Sequence, residues 1–248
     1  MWGIIPAAGN GSRIQPLAFS KELLPVGGRD GQPRERPMAV SEYLMERMAR
    51  GGASKICFVI SPRKSDIMAY YGSQARAQDI VYVVQPEPAG LCDAVFRAHA
   101  VIPPDEPVIV GLPDTIWFPE DALARLPDDR LSFLLFPVES PELFDAVVTD
   151  EDGSVRDIQV KSPQAATRWI WGAFKMPGAV YHQLRRFWQE RPAPDEYIGT
   201  LVNAWMAETG GQAIGVKAGT SYMDVGTLDG FRTAMQVLRP PALSEKAG

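Results

Sequence analysis

The sequence has 248 residues, with 25 Lys and Arg against 30 Asp and Glu, a formal net charge of −5 and 46% hydrophobic residues. That acidic balance argues against a broad basic surface for nucleic acid or anionic membranes, and no apolar run approaches the roughly 18 residues of a spanning helix, so neither nucleic acid nor membrane is expected as a partner. Met1-Trp2-Gly3-Ile4-Ile5-Pro6 lacks the basic and long apolar stretches of a signal peptide, and Cys57 and Cys92 sit among apolar neighbours that suit a reducing compartment; a soluble cytoplasmic protein is the expectation.

Apolar runs of strand length alternate with helical periodicity. Residues Gly3–Pro6, Ile56–Ile60, Ile80–Val84 and Val108–Gly111 read as strands rich in Val and Ile. Between them, Met38–Arg50 spaces Val40, Leu44 and Met48 four apart, pairs Glu46 with Arg50 and stops at Gly51-Gly52, which predicts a helix. Leu91–Ile102 repeats the pattern and ends at Pro103-Pro104. Continuous apolar strands separated by helices imply a mostly parallel, doubly wound Rossmann-like sheet with helices on both faces.

The second half differs in texture. Leu131–Val138 reads as a strand, Ala146–Val148 and Val155–Val160 flank the turn Asp150-Glu151-Asp152-Gly153 as a hairpin, and Trp169–Met176 is a further apolar strand. Pro177 opens a helix toward Arg191, and another runs from Glu196 to Glu208, ended by Gly210-Gly211. No linker-like stretch separates the halves, so we expect one domain over residues 1–239, a mixed sheet with an added hairpin region, and a frayed tail over 240–248.

The densest chemistry follows the first strand: Ile5-Pro6-Ala7-Ala8-Gly9-Asn10-Gly11-Ser12-Arg13, then Lys21-Glu22-Leu23-Leu24-Pro25-Val26. Glycines adopt positive φ and let successive N–H groups converge on phosphate oxygens. Arg13 and Lys21 supply charge against a polyphosphate. The plainer reading is a tight turn with two solvated cations. The dinucleotide fingerprint is absent, because Ile14 stands where its third glycine would be, and the Gly-Lys-Ser/Thr of a P-loop is absent too.

The loop Ala7-Ala8-Gly9-Asn10-Gly11-Ser12-Arg13, with Pro16-Leu17 and Ser20-Lys21-Glu22-Leu23-Leu24-Pro25-Val26, resembles the signature of sugar-1-phosphate nucleotidyltransferases, glucose-1-phosphate thymidylyl- and uridylyltransferases in particular. The resemblance continues in order through Arg36-Pro37-Met38, Val84-Gln85-Pro86-Glu87-Pro88-Ala89-Gly90-Leu91, Ser140-Pro141-Glu142 and Tyr222-Met223-Asp224-Val225-Gly226-Thr227.

It implies that a nucleoside triphosphate, dTTP or UTP, is joined to a sugar 1-phosphate such as glucose 1-phosphate, with release of pyrophosphate. Ala8, Gly9, Gly11, Ser12 and Arg13 would hold the triphosphate, Arg13 facing the leaving pyrophosphate and Lys21 the α-phosphate. Asp114 and Asp224 would bind Mg²⁺, with Asp114 counted among the catalytic residues beside Arg13 and Lys21. Gln85 and Gly90 would read the base, the alternative being a glutamine bonded to its own loop. Asp145, Lys161 and Gly172 would meet the sugar phosphate. A homo-oligomer is left open.

Three departures from the family pattern stand out. Leu112-Pro113 precedes Asp114 in place of a glycine, Phe144-Asp145 replaces an aromatic-glycine pair, and Lys161-Ser162-Pro163 stands for Glu-Lys-Pro. Lys161 either reaches the phosphate through a bulge or points elsewhere, because a one-residue slip reverses the face. A CTP-using or non-glucose enzyme, or a non-catalytic nucleotide- or sugar-binding regulator, is the alternative. His99 and His182 lack zinc spacing, Trp169 and Trp171 share a core face, and residues 27–36 read as a charged loop or a lid.

Overall fold

A computed structural model describes residues 1–28 and 36–238; the expected lid between residues 27 and 36 lies largely outside them, as does the tail. Strand β1 (Trp2–Pro6) is apolar and almost wholly buried. It is followed by β2 (Pro25–Val26), β3 (Met38–Ala39), helix α1 (Val40–Arg50), β4 (Lys55–Ile60) and α2 (Ser65–Tyr71). Next come β5 (Gln74–Ala75), β6 (Gln78–Val84), α3 (Gly90–Arg97), β7 (Val108–Gly111) and β8 (Thr115–Phe118). The second half holds β9 (Leu131–Pro137), β10 (Asp145–Thr149), β11 (Val155–Val160), β12 (Trp169–Met176), α4 (Gly178–Glu190) and α5 (Ile198–Thr209). The chain closes with β13 (Ala213–Val216), β14 (Ser221–Asp224) and α6 (Leu228–Val237).

The main sheet runs β11-β10-β12-β7-β1-β4-β6-β5, with β9 on the other edge of β12 and β13 beyond it. The pairings β7–β1, β1–β4 and β4–β6 are parallel, and β12 joins β7 antiparallel. This is the expected mostly parallel sheet with an added hairpin. Alternate side chains feed two cores. Ile4, Cys57, Val59 and Val110 pack toward α3, α4 and α5, while Ile5, Ile56, Phe58 and Ile109 pack toward α1 and α2. A strand buried on both faces has no polar stripe, which is why these segments read as continuous apolar runs. Trp171 is buried in the first core and Trp169 packs against it.

Boundaries differ from expectation for local reasons. Met38 and Ala39 are extended and pair with β2, so α1 starts at Val40. The helix expected to reach Ile102 is α-helical to Arg97 and tightens into a 3₁₀ turn over Ala98–Ala100. Pro177 caps α4 rather than opening its first turn. Glu196 and Tyr197 stay outside α5 because the Glu196 carbonyl accepts the Leu91 and Cys92 N–H groups, at 2.8 and 3.2 Å. Helices α2 and α6 and strands β2, β5, β8, β13 and β14 have no counterpart among the elements expected from the sequence.

Candidate active site

The loop leaving β1 is made of small residues. Ala7 and Ala8 are buried, and the Ala7 N–H still donates to Val59 O at 2.7 Å, carrying the parallel ladder one residue past the strand. The chain then emerges, with Gly9, Asn10, Ser12 and Arg13 exposed. Gly11 adopts φ +66°, and the Lys21 stem lies so close that a Cβ there would stand 2.9 Å from Lys21 Cδ. Positive φ is therefore used at Gly11, whereas Gly9 lacks it and faces open space. Gly11 O accepts the Ile14 and Gln15 N–H groups, closing the turn that bears Arg13.

Two ion pairs form the centre. Lys21 Nζ donates to Asp114 Oδ2 at 2.5 Å, with side chains 14% and 9% exposed. Arg13 Nη1 donates to Asp224 Oδ2 at 2.7 Å, the arginine 60% and the aspartate 15% exposed. Asp114 stands between β7 and β8, at the carboxyl end of a parallel strand where open α/β sheets bind ligands. Asp224 ends β14, which pairs antiparallel with β8 and sets Asp224 opposite Thr115. The Val225 N–H then donates to Asp114 O at 2.9 Å, and the Gly226 N–H to Asp224 Oδ1 at 3.0 Å. Both carboxylates crowd Gly226: an added Cβ would lie 2.4 Å from Asp114 Oδ2 and 3.0 Å from Asp224 Oδ1.

The electrostatics follow from burial and pairing. Burial pushes Asp114 toward its neutral form, but the Lys21 charge and hydrogen bond prevail and hold its pKa below the ordinary range. Burial likewise works against a charged Lys21, and Asp114 reverses it, raising the pKa. Tyr222, between Phe136 and Phe144, has its phenol pushed far above the usual value by burial and then by the Asp224 and Asp114 carboxylates. Among the described residues no cluster of three or more His, Cys, Asp or Glu is placed to hold a metal ion. Two converging carboxylates suit instead a cation that takes its remaining ligands from water and phosphate oxygens, the habit of Mg²⁺.

The other expected site residues lie further out. Gln85 is buried and its Nε2 donates to Asp93 Oδ2 at 2.7 Å and Gly90 O at 3.3 Å, so its amide group is committed as a donor to the first turn of α3. Gly90 has φ +84° with Glu196 Cα against it. Asp145 accepts from Trp171 Nε1 at 3.2 Å, and burial raises its pKa. Lys161 follows β11 in a left-handed conformation, φ 45°, and its Nζ lies 4.9 Å from the centre of the Tyr197 ring. Gly172 marks a register shift in β12 and is pressed between Phe136 and Tyr222. His99 and His182 ring nitrogens bond the carbonyls of Phe96 and Ile102.

A family model described as nucleotidyl transferase matches residues 2–239. The chain belongs to the nucleotidyl transferase family. It is similar to a UTP–glucose-1-phosphate uridylyltransferase of Haloferax volcanii, 26% identical over 73% of this chain and 74% of the relative. It is also similar to a glucose-1-phosphate thymidylyltransferase of Mycolicibacterium smegmatis, 26% identical over 96% of this chain and 82% of that one. In fold it resembles the UTP-bound UGPase of Acinetobacter baumannii, with TM-score 0.77 and 18% identity over 95% of this chain and 92% of the other.

In this nucleotidyl transferase the structure adds residues that the motif reading passed over. Lys64 and Asp66 stand in the loop and first turn after β4 and contact Glu22 and Ser20, the neighbours of Lys21. The available signal was positional: Ser61-Pro62-Arg63-Lys64-Ser65-Asp66 is a charged segment at the carboxyl end of a buried strand, the side on which such sheets bind ligands.

Proposed function

We propose that this nucleotidyl transferase joins dTTP or UTP to a sugar 1-phosphate, glucose 1-phosphate or a close relative, and releases pyrophosphate, with residues 1–239 acting as one catalytic domain. An oxygen of the sugar phosphate attacks the α-phosphorus in line; the bond from that phosphorus to the bridging oxygen breaks, and its electron pair leaves on pyrophosphate. This chemistry asks for positioning and charge neutralisation rather than a protein nucleophile.

The observation supporting the reading is that two cations and two carboxylates meet beside the glycine loop, drawn from positions 13, 21, 114 and 224. Ala8, Gly9, Gly11 and Ser12 would cradle the triphosphate. Arg13 would face the β- and γ-phosphates, and Lys21 the α-phosphate where charge develops. Asp114 and Asp224 would hold Mg²⁺, which when bound supplies charge neutralisation to the phosphate oxygens. Gln85 and Gly90 would border the base, with the Gln85 carbonyl oxygen the group left to recognise it. Asp145, Lys161 and Gly172 would line the sugar side.

The position of Lys161 over Tyr197 favours a second reading, a pyrophosphorylase for a sugar other than glucose. The test is pyrophosphate release across a panel of nucleoside triphosphates and sugar 1-phosphates with Mg²⁺. We expect turnover with a pyrimidine triphosphate, and a fall on the order of 10²–10³-fold or more in Asp114→Ala. Nucleotide binding without turnover anywhere on the panel would overturn the enzymatic reading in favour of a binding protein.

A further inference from the structure

The start of α2 holds two charged residues that the transfer reaction does not explain. Lys64 is 8% exposed, yet its Nζ donates at 2.7 Å to the carbonyl of Ala7 and at 2.7 Å to Glu22 Oε1. Glu22 is 1% exposed, and Glu22 Oε2 has no hydrogen-bond partner among the described residues. Two residues further on, Asp66 accepts the Ser20 N–H and the Ser20 hydroxyl, both at 2.6 Å. The carbonyl of Glu22 is gripped from another side by the Ser41 hydroxyl at 2.6 Å.

The pattern is asymmetric around Lys21. Both of its neighbours in sequence are tied to α2, while Lys21 itself points to Asp114. Ala7, the other partner of Lys64, is the residue at which the glycine loop leaves β1. One ammonium therefore joins the root of the glycine loop to the segment bearing Lys21, across 14 residues of intervening chain that contain Arg13. Burying an ammonium and a carboxylate is costly, and a packed apolar pair of similar volume often serves stability as well or better. The pair is therefore weak evidence of a purely stabilising role.

We propose that Lys64 is a positioning residue for nucleotidyl transfer: by bridging the Ala7 carbonyl and Glu22 it fixes the distance between the glycine loop and Lys21, so that the β- and γ-phosphates at the loop and the α-phosphate at Lys21 are held in one register. Asp66, through Ser20, fixes the other flank of Lys21. The inference rests on the reading of that loop as the triphosphate site. A displacement of about 1 Å in such an arrangement is enough for a 10²-fold loss of rate.

The test compares wild type with the double variant Lys64→Met/Glu22→Gln, which removes both buried charges together and so avoids leaving one unpaired, as Lys64→Met alone would. Thermal unfolding first establishes that the variant is folded. We expect kcat for pyrophosphate release to fall 10–100-fold with KM for the triphosphate changed less than about threefold, and Lys64→Arg to recover part of kcat. Amide hydrogen exchange in residues 7–12 and 20–24 is expected to speed up in the double variant while exchange in β4 and β6 stays at the wild-type rate. A folded double variant with wild-type kcat would overturn the proposal. If wild type itself released no pyrophosphate, the functional reading would fail separately, and unchanged exchange in the two segments would then reject the positioning role.

Discussion

Asp114 and Lys21 are each buried in a way that disfavours the charged form. Together they stay charged, and the sign of each shift gives a pH prediction. The folded pKa of Asp114 is depressed, so its contribution to stability is full above the ordinary aspartate value of 3.8 and is lost as pH falls through the lower folded value. The folded pKa of Lys21 is raised, so its contribution is full below the ordinary 10.5 and is lost as pH climbs through the higher folded value. In thermal melts, the advantage of wild type over Asp114→Asn should therefore be present at neutral pH and narrow in acid below 3.8. A margin that vanished near neutrality would mean the pair is not ionised as described. Arg13 differs, because its exposed guanidinium is screened by water and adds little to stability through Asp224.

At the scale of elements, the turn into α3 shows how a motif glycine can be fixed by backbone conformation and packing together. Gly90 adopts φ +84° while the backbone of Glu196 lies within 2.7 Å of where a Cβ would go. At Gly210, which ends α5 at φ +71°, an added Cβ would meet nothing within 4 Å among the described residues outside its own turn. Gly210→Ala should cost only the left-handed conformation, about 1–2 kcal/mol. Gly90→Ala should cost that and a further ~1–3 kcal/mol for overpacking against backbone. Denaturant unfolding checks the difference; equal losses would show that the Glu196 segment simply moves away.

The same contrast explains what was readable in the sequence. Glycine loop, Lys21 and the strand before Asp114 are local, and their residue types announce their backbone. Strands β8 and β14 pair across more than a hundred residues; Ser221-Tyr222-Met223-Asp224 is short and mixed, and Thr115-Ile116-Trp117-Phe118, though made of strand-forming residues, is only four residues long and finds its partner far along the chain. Lys161 stands one position from the family's lysine, and its left-handed backbone after β11 and its place beside the Tyr197 ring depend on contacts between distant segments that no local pattern specifies. The grip of Lys64 on Ala7 and Glu22 depends on a bend between β4 and α2 that no local pattern specifies.

Over the whole molecule, the candidate site is assembled from opposite ends of the chain: the Arg13–Asp224 bond spans 211 residues. Strand β14 reaches β8 only after the chain has passed through the added hairpin, two helices and β13. A ligand held jointly by the glycine loop and Asp224 thus couples the parallel half of the sheet to everything that follows it. An expectation for calorimetry follows. If residues 1–239 unfold as one unit, a pyrimidine triphosphate with Mg²⁺ at about 100 times its Kd should stabilise the protein by ~2.7 kcal/mol and move one transition as a whole. Asp224→Ala should lose most of that gain while keeping one transition. Two transitions, with only the first moved by nucleotide, would mean that the segment from β9 to α6 is a separate cooperative unit, and that the site is completed by docking two units rather than by folding one.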